Sequence, residues 1–188
     1  MRSWLKWAVP TTALVLAAAI GGGLLAREQY GTSVQGITPA SPEPVAPEPV
    51  PGGLAFTADA AAHPDQGIVR ALLEVHFDAI NGRDYDGWKS TVVPAKWREQ
   101  PRDEWLRAYR TTHDSDVVVH RIERTPDGTL RVLLTFTSTQ DPAQAPPQLA
   151  EPCIRWRVVY PLVPDEGGLR LDINRFPGSA LLDPCRPE

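Results

Sequence analysis

Residues 66–80 read QGIVRALLEVHFDAI, and their periodicity marks the start of the folded part of the chain. At ~100° per residue, Ile68, Val69, Leu72, Leu73, Val75, Phe77, Ala79 and Ile80 cover one broad side of a helix. Arg70, Glu74, Asp78 and Asn81 gather on the other. That spacing predicts a helix with one buried face, N-capped by Asp65 and ended by Asn81-Gly82. A second short helix is predicted over 85–91, stopping before Pro94, because a proline disfavours helical backbone in the residue ahead of it. A third begins at Pro101, where proline is tolerated in a first turn, and runs through PRDEWLRAYRTT with Trp105, Leu106 and Tyr109 facing inward.

Downstream of this the period shortens to two. Residues 116–125 hold a run of valines and then an irregular stretch, closed by a Pro126-Asp127-Gly128 turn. Over 129–140, Leu130, Val132, Leu134 and Phe136 share one face, opposite Arg131, Thr135 and Thr137. Over 153–163, Ile154, Trp156, Val158, Tyr160 and Leu162 alternate with Arg155 and Arg157. After a turn at 164–168, Leu169, Leu171 and Ile173 alternate with Arg170, Asp172 and Asn174. Four such strands predict an antiparallel sheet with one packed and one wet face. Three helices followed by four strands make an α+β fold.

Upstream, WAVPTTALVLAAAIGGGLLA (7–26) is twenty residues without a charge. At ~1.5 Å per residue a helix of that length matches the ~30 Å hydrocarbon core of a bilayer. Arg2 and Lys6 precede it, which keeps the N-terminus in the cytoplasm and places everything after residue 26 outside. An uncleaved single-pass anchor at 1–26 and a cleaved signal peptide are both open, the second leaving a secreted protein. No cysteine follows the run to carry a lipid. Residues 27–64 form an extracytoplasmic linker. Six of the chain's 20 prolines fall at 39–51, where the repeated Pro-x-Pro predicts a semi-rigid spacer of roughly 40 Å. Residues 65–188 form the head. The net charge of −4 argues against a nucleic-acid partner, for which a basic stripe is expected.

The order of elements, the phrase FDAINGRDYDGW (77–88), DEWLRAY (103–109), and WRVVYPLV (156–163) followed by GLRLDI (168–173) carry a resemblance. Together they are similar to the nuclear-transport-factor-2-like (cystatin-like cone) superfamily, in the form its membrane-attached members take in high-GC bacteria. Over about 65–177 the resemblance implies three helices packed on a curved four-stranded antiparallel sheet. Relatives that bind small molecules line a cavity at the position of His76. The superfamily includes polyketide cyclases, steroid-isomerase-like enzymes and many domains with no chemistry, so the fold does not dictate a reaction.

Cys153 and Cys185 are the only cysteines, and outside the cytoplasm they are expected to pair, closing a loop of about 32 residues. Two free buried thiols or a metal pair are the alternatives. His76 is the most suggestive single residue for chemistry, since a buried histidine can act as a base near neutral pH. The plainer reading bonds it to a backbone carbonyl or to Tyr85. His76, Tyr85 and Trp105 are the cavity candidates. Glu74 and Asp78 project from the polar side of their helix, and no carboxylate is expected inside. His113, Asp114, Asp116 and His120 follow no metal-ligand spacing, and neither a nucleophile elbow nor a phosphate or dinucleotide loop occurs. No catalytic residue, metal or cofactor is therefore expected. The leading expectation is a membrane-anchored, extracytoplasmic, non-enzymatic domain that binds a partner protein or a small ligand, with a homodimer through the sheet as one form. The alternative is a cone-fold isomerase- or cyclase-like enzyme or a lipophilic-ligand binder.

Overall fold

The computed structural model describes residues 53–175 and 179–186. Strand β1 (Leu54–Phe56) leads into the short helix α1 (Ala58–Ala61), then α2 (Gln66–Gly82), α3 (Tyr85–Thr91), α4 (Pro94–Glu99) and α5 (Arg102–Ala108). Strands β2 (His113–Arg124), β3 (Leu130–Thr139), β4 (Cys153–Asp165), β5 (Gly168–Leu171) and β6 (Leu181–Pro184) follow. They form a six-stranded mixed sheet in the order β1-β2-β3-β4-β5, with β6 also on β4. This corrects the expectation of three helices on a four-stranded antiparallel sheet. β1 runs parallel to β2, Leu54 opposite Val117 and Phe56 opposite Val119, and three residues are too few to show alternation in a sequence. In α4, Pro94 sits in the first turn and opens a helix, where the sequence predicts only a stop. The expected transmembrane helix and spacer lie outside the described residues, and no helix among those is long and apolar enough to cross a membrane.

The core lies between α2 and the inner face of the sheet. Val69, Leu73, Phe77 and Ile80 on α2 pack with Val119, Leu130, Val132, Leu134 and Leu162 on the strands. Ile68 and Val75 are each 47% exposed, so the buried face of α2 is narrower than its apolar content suggests. Only residues within about a quarter-turn of Val69 are buried, and Ile68 and Val75 fall outside that arc. Asp65 makes no side-chain cap bond. Its carboxylate instead pairs with Arg124 at 2.6 Å. The left-handed turn that ends α2 falls on Arg83 (φ 58°), whose N–H donates to the carbonyls of Ala79 and Ile80. The short helices are tied together by aromatic rings. Tyr85, Trp88, Trp105 and Tyr109 form a chain with successive ring centroids 5.0–5.5 Å apart.

β2 departs from a regular strand at two places. Its pairing with β3 slips between Ser115 and Val118 and again between Val119 and Arg121. At the first slip Asp116 adopts φ 51°, the left-handed backbone that lets two residues oppose one. At the other edge of the sheet, Cys153 and Cys185 form a disulfide, with the Cys185 N–H donating to the Cys153 carbonyl at 3.1 Å. It holds β6 against the start of β4.

Two outcomes check this architecture by urea denaturation. Asp116→Gly is expected to keep or raise stability, and Asp116→Val to lower it by about 1–2 kcal/mol, because a β-branched residue resists positive φ. The Cys153→Ser/Cys185→Ser double variant is expected to lose about 3.5 kcal/mol, the chain-entropy value for a 32-residue loop.

A polar-ended cavity between the long helix and the sheet

A cavity of about 770 Å³ opens between α2, the segment after α5, the inner face of β3 and β4, and the 140–147 loop. That is the size of a pocket for a drug-sized molecule. Ile80, Phe136, Trp156 and Val158 give it apolar walls, and Phe136 and Trp156 lie parallel with centroids 5.8 Å apart. Ser179 and Ala180, just ahead of β6, line it as well. The polar lining includes His76, Tyr109, Asp114, Ser138 and Tyr160.

Of the sequence candidates, His76 lines this cavity, whereas Tyr85 and Trp105 do not. Tyr85 is buried in the aromatic chain, and its hydroxyl donates to the Gln100 carbonyl at 3.2 Å. Trp105 is fully buried beside it. His76 bonds neither Tyr85 nor a carbonyl. Its Nδ1 lies 2.8 Å from Thr91 Oγ1, and that hydroxyl donates to the Trp88 carbonyl at 2.7 Å. A hydroxyl has one proton, so Thr91 can only accept from the ring. His76 therefore carries its proton on Nδ1 and leaves Nε2 as a bare acceptor. Burial holds its pKa down to about 3, so the ring is neutral across the physiological range.

The expectation that no carboxylate lies inside is corrected by Asp114, which is only 7% exposed. Regular alternation would put Asp114 on the face opposite Val117 and Val119. The bulge at Asp116 adds one residue and turns Asp114 inward, opposite the buried Ser138. Its Oδ1 accepts a bond from Ser138 Oγ. Its backbone N–H and carbonyl are both bonded to the Asn81 side chain at 2.8 Å, which locks the residue to the end of α2. Burial pushes the carboxyl up from 3.8 to about 6, against the lowering effects of Ser138, His113 and Arg83. Burial, with a contribution from Asp114, also raises the Tyr109 hydroxyl to about 12 and the Tyr160 hydroxyl further still. The signal for Asp114 in the sequence is the missing period in 113–117. It does not distinguish a bulge from a loop.

The arginines expected on the outer face of the sheet are in part paired. Arg157 meets Asp183 at 2.6 Å and Arg170 meets Asp165 at 2.5 Å. Both pairs are exposed or half-exposed and add little to stability.

Asp114 gives the domain a pH signature. A carboxyl whose folded pKa is raised contributes stability that is fully present below 3.8 and is lost as pH rises through about 6. The loss is about 3 kcal/mol at 1.36 kcal/mol per pKa unit. Urea titrations are expected to show Asp114→Asn gaining on the natural protein by about this amount between pH 3 and pH 7. A constant difference between the two proteins would refute the burial. His76, held neutral, acts oppositely: its contribution is lost as pH falls below 6.5.

No family model matches this chain, and no curated protein matches it either.

Proposed function

We propose that this chain is an extracytoplasmic domain that binds a small, largely apolar molecule, built on a cone of the nuclear-transport-factor-2-like kind. The observation that carries the reading is the cavity of about 770 Å³, whose apolar and aromatic walls converge on a few fixed polar groups. That combination is the usual signature of a ligand site. A site outside the cytoplasm is supported by the Cys153–Cys185 disulfide and by the uncharged stretch at 7–26 behind Arg2 and Lys6. That stretch delivers the domain to the far side of the membrane whether it stays as an anchor or is cleaved.

A second reading is favoured by one observation. A carboxyl with a pKa near 6 inside a cavity, beside Tyr109 and Tyr160, has the properties of a general base. In that case the domain is a cone-fold enzyme of the isomerase or cyclase kind with Asp114 as the base, and a molecule bound in the cavity is converted as well as held.

The binding reading predicts one-to-one uptake of the neutral apolar dye Nile red by the full chain, seen as a blue-shifted emission. Ala145→Trp, which adds a large ring to the cavity wall, is expected to reduce that uptake at least about tenfold while the circular dichroism is unchanged. Absence of dye uptake by the natural protein would overturn the reading.

A further inference from the structure

Resting on the reading of the cavity as a ligand site, we infer that its occupant is an apolar organic cation, a protonated amine whose N–H groups donate to the Asp114 carboxylate. The inference follows from what the carboxylate lacks. Asp114 is buried, and Ser138 Oγ is the one side-chain donor bonded to it among the described residues. Oδ2 has no partner there, and no lysine or arginine among the described residues forms an ion pair with it. His113 and Arg83 both act on the carboxyl from further off, and the Arg83 guanidinium donates to the carbonyls of Ile80, Asn81 and Arg110. A buried carboxylate is costly unless a cation accompanies it. At neutral pH, above its raised pKa, this one is mostly ionised.

The surroundings favour a cation as well. His76 presents Nε2 as a bare acceptor, so a ligand's N–H groups meet two acceptors on the cavity lining. Tyr109, Tyr160, Phe136 and Trp156 supply aromatic lining, and ring faces attract ammonium groups. Lys96 also lines the cavity, but its charge is offset by Glu99 at 3.9 Å. An anionic ligand would meet the Asp114 charge in a medium of low dielectric. A neutral alcohol can use the same acceptors, but its bond to the carboxylate lacks the charge on the donor and is weaker.

The test is a matched series measured by calorimetry on the full chain at pH 7.5: 1-naphthylmethylamine, 1-naphthalenemethanol and 1-naphthoic acid. The amine is expected to bind at least about tenfold more tightly than the alcohol, with the acid weakest. Asp114→Asn is expected to remove that preference by weakening the amine about tenfold while leaving the alcohol within about threefold. Ser138→Ala, which keeps the charge, is expected to retain the preference. Equal binding of amine and alcohol by the natural protein, or an amine affinity untouched by Asp114→Asn, would overturn the cation assignment. The natural protein's ratio decides the matter if Asp114→Asn does not fold. Nile red uptake without amine preference refutes the cation alone, and failure of the dye and all three naphthalenes refutes the underlying ligand reading.

Discussion

The interior of this domain depends on one extra residue in β2. Asp116, at φ 51°, lets two residues of β2 oppose one of β3. Because side chains alternate with a period of two, that single insertion exchanges the faces of everything before it relative to everything after it. Val117 and Val119 stay in the core, while Asp114 swings to the same side and meets Ser138. Without the bulge, the charge would point to solvent and the cavity would lose its only buried carboxyl among the described residues. The second slip, before Arg121, restores the other phase and puts Ile122 in the core.

Holding a carboxyl inside requires scaffolding, and α2 provides it. Asn81, at the end of that helix, bonds both backbone groups of Asp114, so the bulged strand cannot slide relative to the helix. One helical turn and a half earlier, His76 is fixed by Thr91 of α3, which in turn bonds to Trp88. Two of the polar groups that line the cavity, Asp114 and His76, are thus set by the same helix, through the Asp114 backbone and the His76 Nδ1. Under the proposed ligand reading, such pre-orientation keeps the cost of ordering low. Both groups also strain stability at some pH, since burial opposes charge on either.

The sequence reading and the structure agree on α2, α3 and the inward positions of β3, because long periodic segments leave little freedom to the backbone. Leu130, Val132, Leu134 and Phe136 are all buried on one face of β3. His76 was visible because a histidine on an apolar helix face interrupts a pattern. Tyr85, expected as a partner for His76, and Trp105, expected to face inward, fill a different part of the core, packed on Trp88. Inward is a direction relative to one element, whereas lining a cavity depends on where several elements leave a gap. β1, α1 and β6 were missed because segments of three or four residues carry no period.

The sequence by itself determined the helical and extended segments with clear periods, the uncharged stretch at 7–26, the proline-rich run and the presence of two cysteines able to pair. These are properties of local pattern and composition, and physics acts on them residue by residue. The tertiary structure alone decided the parallel placement of β1, the inward turn of Asp114 and the cavity it lines. Each of those depends on a register or a gap between segments distant in the chain. A bulge is one residue wide, and in a sequence it looks like any other aspartate between a serine and a valine.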